Sequence, residues 1–247
     1  MKRLLLALLC LSCGTNSTTG KQVVLHTKLN SDLNAERSFI TDYGWNVTLT
    51  SARFSTGPLY YFDGEPAFTR REPNFFEFLK PIQTAYAHPG HYAPGNAVGQ
   101  VLQPQTFDLL ETGPFTMSDG TGITGPVRSA TFSFSAPDGG HAVVVGGSAE
   151  RDGGTVYFSV TAALSDIERT AKDAQITGCK FDENTIDRDE TVLVTVKPRI
   201  WFNLVDFTKV DAGTPESPTL VDPASVPHIA FALGLGQLSA YEFQLQQ

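Results

Sequence analysis

The chain has 247 residues, with 18 Lys and Arg against 26 Asp and Glu, so its formal net charge is −8. An acidic chain of this kind is poorly suited to bind nucleic-acid phosphates or anionic membrane surfaces, both of which attract basic patches. Its length fits one large all-β domain or two small ones, and it can bury a substantial core.

The N-terminal residues have the pattern of an export signal. Lys2 and Arg3 precede the short apolar run Leu4 to Leu11, which is too short to cross a bilayer as a helix. The run ends at Ser12-Cys13, which resembles the lipobox of bacterial lipoproteins. This resemblance implies cleavage before Cys13 and lipidation of its thiol, which would anchor the protein to a membrane.

These interpretations divide the chain into three parts. Residues 1–12 are predicted to be a lipoprotein signal peptide, residues 13–20 a tether, and residues 21–247 a single β-sandwich domain. Gly14 follows the lipidated cysteine in place of the Asp that retains lipoproteins at the inner membrane. By this resemblance the protein is expected in the outer membrane, facing the periplasm.

The cysteines leave no pair for an internal disulfide. Cys10 departs with the signal and Cys13 would carry lipid, which leaves Cys179. Free cysteine is often buried as a small apolar side chain, and we interpret Cys179 in this way. A metal thiolate and an intermolecular bridge are the alternatives.

Beyond the tether, apolar and polar residues alternate with the period of two that is typical of half-buried strands. The Gly-rich turns Asp138-Gly139-Gly140 and Asp152-Gly153-Gly154 flank Val143 to Val145 and predict a hairpin on each side. The predicted fold is therefore all-β, an antiparallel β-sandwich. Its core is expected to include Phe132, Phe134, Val144, Val156, Phe158, Val160, Val192 and Val194.

Residues 63–98 form the longest stretch without a clear strand. A loop of this length in a compact domain is usually functional or disordered, and its Phe and Tyr residues argue against disorder. We therefore predict a long ordered loop packed on the sandwich. Short helices are predicted at residues 74–80, within this loop, and at 165–173, where Ser165 would be the N-cap.

The loop contains His88-Pro89-Gly90-His91, a sequence with a physical reason to bind a metal ion. Pro at the second position and Gly at the third are what a type II turn requires, and such a turn holds its end Cα atoms within about 7 Å. Two imidazoles can then meet one ion, and a rigid His pair suits Cu(II), Zn(II) or Ni(II). The alternative is a turn with two solvated histidines.

Two ligands are too few for a zinc site, so others must come from elsewhere. His141 follows a Gly-Gly turn at the start of a strand, and His228 follows a proline where a late strand is expected to begin. We therefore predict His88, His91, His141 and His228 as the metal ligands. His26 lies on the polar face of a predicted strand and is interpreted as exposed.

Two segments resemble the MbnP-type copper-binding proteins, which are exported bacterial β-sandwich domains. They are Trp45 to Phe62 (WNVTLTSARFSTGPLYYF) and Trp201 to Phe207 (WFNLVDF). The resemblance implies copper held by histidines, in some members beside an oxidised tryptophan, a part that Trp45 or Trp201 would play. Packing in the apolar core is the alternative for both tryptophans.

The sequence contains no Gly-x-Ser-x-Gly, His-Glu-x-x-His or Walker motif, and it assigns no catalytic residue. We expect a lipid-anchored periplasmic protein that binds copper or zinc in metal transport or homeostasis. One alternative is a non-enzymatic outer-membrane lipoprotein that binds a ligand or an outer-membrane or periplasmic protein, marked by exposed aromatic residues on the 63–98 loop. A metal-dependent hydrolase is a further alternative, and it would need three ligands around an open position.

Overall fold

The computed structural model of the protein describes residues 20–34, 37–67, 93–137 and 140–246. Strands make up 51% of the structure and helices 16%, which confirms the predicted all-β class. The strands in the described ranges are β1 Gln22–Ser31, β2 Ser38–Ile40, β3 Asn46–Phe62, β4 Ala97–Val101, β5 Gln105–Asp108, β6 Phe115–Thr116, β7 Gly120–Ile123, β8 Gly125–Phe134, β9 Val143–Arg151, β10 Gly154–Ala162, β11 Gln175–Ile186, β12 Glu190–Val196, β13 Thr219–Leu220 and β14 Tyr241–Gln246. The helices are α1 Leu164–Glu168, α2 Pro198–Phe202 and α3 Val226–Leu235. None of these is both long and apolar enough to cross a membrane.

The strands form two layers of a sandwich. In the first layer the 17-residue strand β3 pairs with β9 through its first half and with β8 through its second half. On its other edge β3 pairs with β5 and β4. The second layer has the strand order β7-β1-β12-β14, and β11 connects β14 to β8.

The sheet is mixed, because three of its strand pairs are parallel. These pairs are β1–β12, β10–β13 and β11–β14. Alternation in a sequence reports that one face of a strand is buried, and it carries no information about the direction of the neighbouring strand. The predicted antiparallel pairing therefore holds for most of the pairs, and these three depart from it.

The turns on the two sides of β9 behave differently. Arg151 pairs with Gly154 across the loop Asp152-Gly153, whose φ angles are 53° and 80°, so β9 and β10 form the predicted two-residue hairpin. In contrast, β8 and β9 do not pair with each other, since they occupy successive parts of one edge of β3. The hairpin predicted between β8 and β9 is wrong for that reason.

The core lies between the two layers. The hydroxyl of Tyr61 on β3 lies 3.1 Å from Thr27 Oγ1 on β1. The ring of Phe132 on β8 stacks on that of Tyr241 on β14, with 4.4 Å between the centroids. Large aromatic side chains from both layers therefore fill the space between them.

Seven of the eight predicted core residues are buried, and Val144 is the exception. Val144 is half-buried, whereas Val143 and Val145 are fully buried. A run of three valines does not show which of the two faces points inward, so the sequence left the phase of this strand open.

The helices pack beyond the ends of β1 and β12. α2 begins directly after β12, and α3 packs against α2. α1 begins after Ala163, whose N–H donates to the Asp166 carboxylate at 3.0 Å, so Ser165 is not its N-cap. The helix predicted at residues 74–80 lies outside the described residues.

α3 occupies the place where a late strand was expected. Ser225 caps the helix, because its Oγ accepts a hydrogen bond from the N–H of His228, and Pro227 lies in the first turn. The apolar residues of α3 are spread around the helix and show no helical period. The cap and the proline are the sequence signals that identify this helix.

Candidate functional site

The long loop leaves and rejoins the sandwich at a hydrogen-bonded base at the end of β3 and the start of β4. The N–H of Gly64 donates to Pro94 O at 3.0 Å, and the N–H of Asp63 donates to Asn96 O at 3.1 Å. The Asp63 carboxylate in turn accepts from the backbone N–H of Asn96 at 2.6 Å and from its Nδ2 at 2.9 Å. These bonds from Asn96 hold the pKa of Asp63 below its usual value. The carboxylate is therefore ionised, and the base closed, at neutral pH.

Neighbouring strands hold the same base from the side. Ser129 on β8 donates its hydroxyl hydrogen to Gly64 O at 2.7 Å. The N–H of Ala67 donates to Gly178 O on β11 at 3.1 Å. The base is thus hydrogen-bonded to neighbouring strands and is part of the sandwich.

The predicted turn of His88 and His91 lies within residues 68–92, outside the described part of the chain. All six aromatic residues of the 63–98 loop, which would mark the alternative partner-binding function, lie there too. Both features remain predictions. Cys13 and the signal peptide also lie outside the described residues.

His141 is exposed and lies just before β9. The carbonyl of its neighbour Ala142 accepts a hydrogen bond from the N–H of Ser55 at 2.8 Å, which places this end of β9 beside the middle of β3. Ser55 is eight residues from Asp63, a distance of about 26 Å along a strand. His141 and the base of the loop therefore lie at different positions along the length of β3.

His228 is buried in the first turn of α3, with 1% of its surface exposed. Its Nε2 lies 2.7 Å from the Thr161 carbonyl oxygen on β10, and because a carbonyl only accepts, Nε2 carries the hydrogen. In the neutral ring the lone pair is then on Nδ1, which is buried without a hydrogen-bond partner among the described residues. A carbonyl often holds the second nitrogen of a metal-binding histidine in this way. His228 thus offers one buried donor atom and also joins α3 to β10.

His26 is exposed, as expected, and has a partner that sequence reasoning missed. Its Nδ1 lies 2.7 Å from Asp119 Oδ1, and the two side chains are 52% and 62% exposed. Asp119 precedes β7, which pairs with β1 in the second layer. The two residues are far apart in sequence, and only the pairing of their strands brings them together.

The described residues contain no group of three His, Cys, Asp or Glu side chains close enough to hold a metal ion. Cys179 is a free, buried thiol that donates to Ile176 O at 3.2 Å. Burial raises the pKa of this thiol to about 12, so at neutral pH it is not the thiolate that binds metals. Its environment fits the interpretation of a small apolar side chain.

Both tryptophans belong to the aromatic core. Trp201 is fully buried, with its ring centroid 5.8 Å from that of Phe54. Trp45 is 5% exposed and makes an edge contact with Phe207 at 5.7 Å, and the Arg151 guanidinium covers it at 4.5 Å. These contacts fit the packing alternative for both residues.

The chain matches no family model and no curated protein significantly. Among solved structures, MbnP from Methylosinus trichosporium is similar over 92% of this chain and 99% of its own, with 13% identity and a TM-score of 0.35. A TM-score this low does not establish a common fold, so no functional residue is carried over from that protein.

Proposed function

We propose that this chain is an exported lipoprotein, anchored through Cys13 to the outer membrane and facing the periplasm, that binds copper or zinc for metal transport or homeostasis. The observation that carries the proposal is the sequence His88-Pro89-Gly90-His91, which places two imidazoles at the ends of a turn that proline and glycine stiffen. Imidazole nitrogens are ligands that both metals accept.

The base at Asp63 and Asn96 supports this proposal. Closing a loop costs entropy that increases with its length, and the hydrogen bonds of the base already hold the two ends together. His91 lies two residues before Ala93, the first described residue after the loop, so peptide geometry keeps their Cα atoms within about 7.6 Å. In this proposal the short link to Ala93 keeps the turn close to the base of the loop.

His88 and His91 are the primary ligands in this proposal, and His141 and His228 are the candidates for completing the site. His141 is exposed and accessible to a metal ion, whereas His228 offers the lone pair of its buried Nδ1. Recruiting either of them requires the loop to extend back along β3 from its base.

Titration of Cu(II) and Zn(II) into purified protein tests the proposal. His88→Ala should weaken binding by removing a ligand, and Gly90→Val should weaken it without removing one, since valine resists the positive φ of the turn. Affinity should also fall between pH 7.5 and pH 5.5, because protons compete for the imidazole nitrogens near pH 6.5. His26→Ala is the matched control, since it removes an exposed histidine outside the proposed site. Equal binding by all four proteins would mean that the turn does not chelate.

The anchor has a separate test. Cys13→Ser should move the protein from the detergent phase to the aqueous phase of a Triton X-114 separation, or leave it unprocessed, because the acyl chains supply its membrane affinity. If the variant partitions as the wild type does, Cys13 is not the site of the anchor, and the metal proposal is unaffected.

A further inference from the structure

The helical end of the sandwich carries an exposed apolar ridge on α3. Val226, Ile229 and Leu233 are 71%, 43% and 44% exposed. Their spacing of three and four residues places them along one face of the helix. The position of the helix is fixed by close packing, since a Cβ on Gly234 would lie only 2.4 Å from Trp201 O. The ridge therefore faces solvent in a helix that has no room to turn.

The ridge lies in a stretch of the chain that carries no formal charge. No Asp, Glu, Lys or Arg occurs from Pro223 to Tyr241, in a chain with a net charge of −8. Leu204, after α2, and Leu220, before α3, are 43% and 61% exposed. Together with the ridge they account for five of the ten large hydrophobic side chains that are exposed among the described residues. The three that share one face of α3 form an exposed apolar row of the kind found at interaction surfaces.

The charge pattern favours a second copy of this chain as the occupant. Helices that lie on a membrane surface usually carry Lys or Arg on their polar face, and α3 has neither. Two copies of an acidic chain repel each other at surfaces that carry their carboxylates. α3 itself carries no carboxylate, so two copies that meet through this helix bring no acidic side chains of α3 together and bury no charge of α3.

We propose that the α3 ridge is a homodimer interface, in which α3 of one copy packs against α3 of a second copy across a two-fold axis. Such an interface is self-complementary, since the same side chains meet from both sides. A ridge of this size buries less than the roughly 800 Å² per partner of a standard stable interface. The dimer is therefore weak, with a dissociation constant in the micromolar range or above.

Cysteine cross-linking of the full chain in exporting cells tests the contact directly. Ile229→Cys puts a thiol on the ridge, and Ile40→Cys puts one on β2, at a side chain that is 74% exposed. With a short bis-maleimide we expect a covalent dimer from Ile229→Cys. Ile40→Cys should match the wild type, whose Cys179 is buried. Equal cross-linking of the two variants, or none from Ile229→Cys, overturns the proposal.

Sedimentation velocity of the full chain with Cys13→Ser, which removes the predicted lipid, gives a second measurement. The chain and its Ile40→Arg variant should shift towards dimer as concentration rises, while Ile229→Arg should remain monomeric. A chain that is monomeric at every concentration overturns the proposal. If that monomer instead binds neutral phosphatidylcholine vesicles and Ile229→Arg abolishes the binding, the ridge is a lipid-binding surface and the dimer is wrong.

Discussion

Replacing Gly234 by alanine would force α3 away from α2. A Cβ at this position would lie 2.4 Å from Trp201 O, 2.6 Å from its Cα and 2.7 Å from its carbonyl carbon. All three are backbone atoms, so no side chain can rotate out of the way. Ordinary contact distances begin at about 3.5 Å, and α3 must therefore move by about 1 Å.

The expected loss of stability follows from two opposing effects. Alanine favours a helix over glycine by about 1 kcal/mol. Overpacking costs about 1–3 kcal/mol, and moving α3 also loosens Phe231 from Trp201 and Phe202, whose ring centroids lie 6.4 and 5.0 Å away. We expect the free energy of unfolding to fall by about 1–2 kcal/mol and the Tm by about 2–8 °C.

Urea unfolding followed by far-UV circular dichroism measures this loss. Gly140→Ala is the matched control, because a Cβ there would have no atom within 4 Å, and its free energy of unfolding should stay within about 0.5 kcal/mol of the wild type. If Gly234→Ala proves as stable as the wild type, the close contact between α2 and α3 does not exist in solution.

Burial raises the pKa of Asp32 to about 6, even though Arg199 Nε lies 2.8 Å from its carboxylate. Above pH 6 the buried carboxylate is charged and lowers the free energy of unfolding. This loss of stability disappears as the pH falls towards 4 and the carboxylate is protonated. Relative to the wild type, Asp32→Asn should therefore gain up to about 3 kcal/mol of stability between pH 4 and pH 7.5, and urea unfolding at both pH values measures the difference. A constant difference would contradict the raised pKa. The Cys179 thiol should react with a maleimide at pH 8 only as fast as the protein unfolds, and rapid labelling of the native protein would contradict its burial. Asp63→Ala should lower Cu(II) affinity in a titration without removing a proposed ligand, because the base no longer accepts both bonds from Asn96. Unchanged Cu(II) affinity would show that the base does not contribute to metal binding.

Alternation in the sequence was enough to predict the class of fold and most of the buried positions. Val156, Phe158 and Val160 alternate with more polar residues, and all three are buried as expected. The prediction of which face is buried was wrong at Val144, whose neighbours on both sides are equally apolar. Local pattern therefore predicts burial only where it distinguishes the two faces of a strand.

The direction of the strands, and which strands pair, could not be predicted from local sequence patterns. The parallel pairing of β1 with β12 places Leu29 beside Val194, and the two residues are separated by most of the chain. A different long-range pairing, of β7 with β1, brings Asp119 to His26. A hydrogen bond of this kind depends on the order of strands in the sheet, which no local spacing reports.

The four predicted ligands do not form one cluster in the sequence, and the fold sets the condition under which they can share an ion. The loop that contains His88 and His91 starts at the base that Asp63 holds. His141 lies beside the middle of β3, and His228 lies in α3. A single four-histidine centre requires the loop to cover about 26 Å of β3. His88 and His91 need no such path to meet one ion, because the predicted turn would hold them together, although a zinc site would still need further ligands. The pair is therefore the primary site in the proposal, and His228 has a structural task, the bond to Thr161, that it performs with or without a metal.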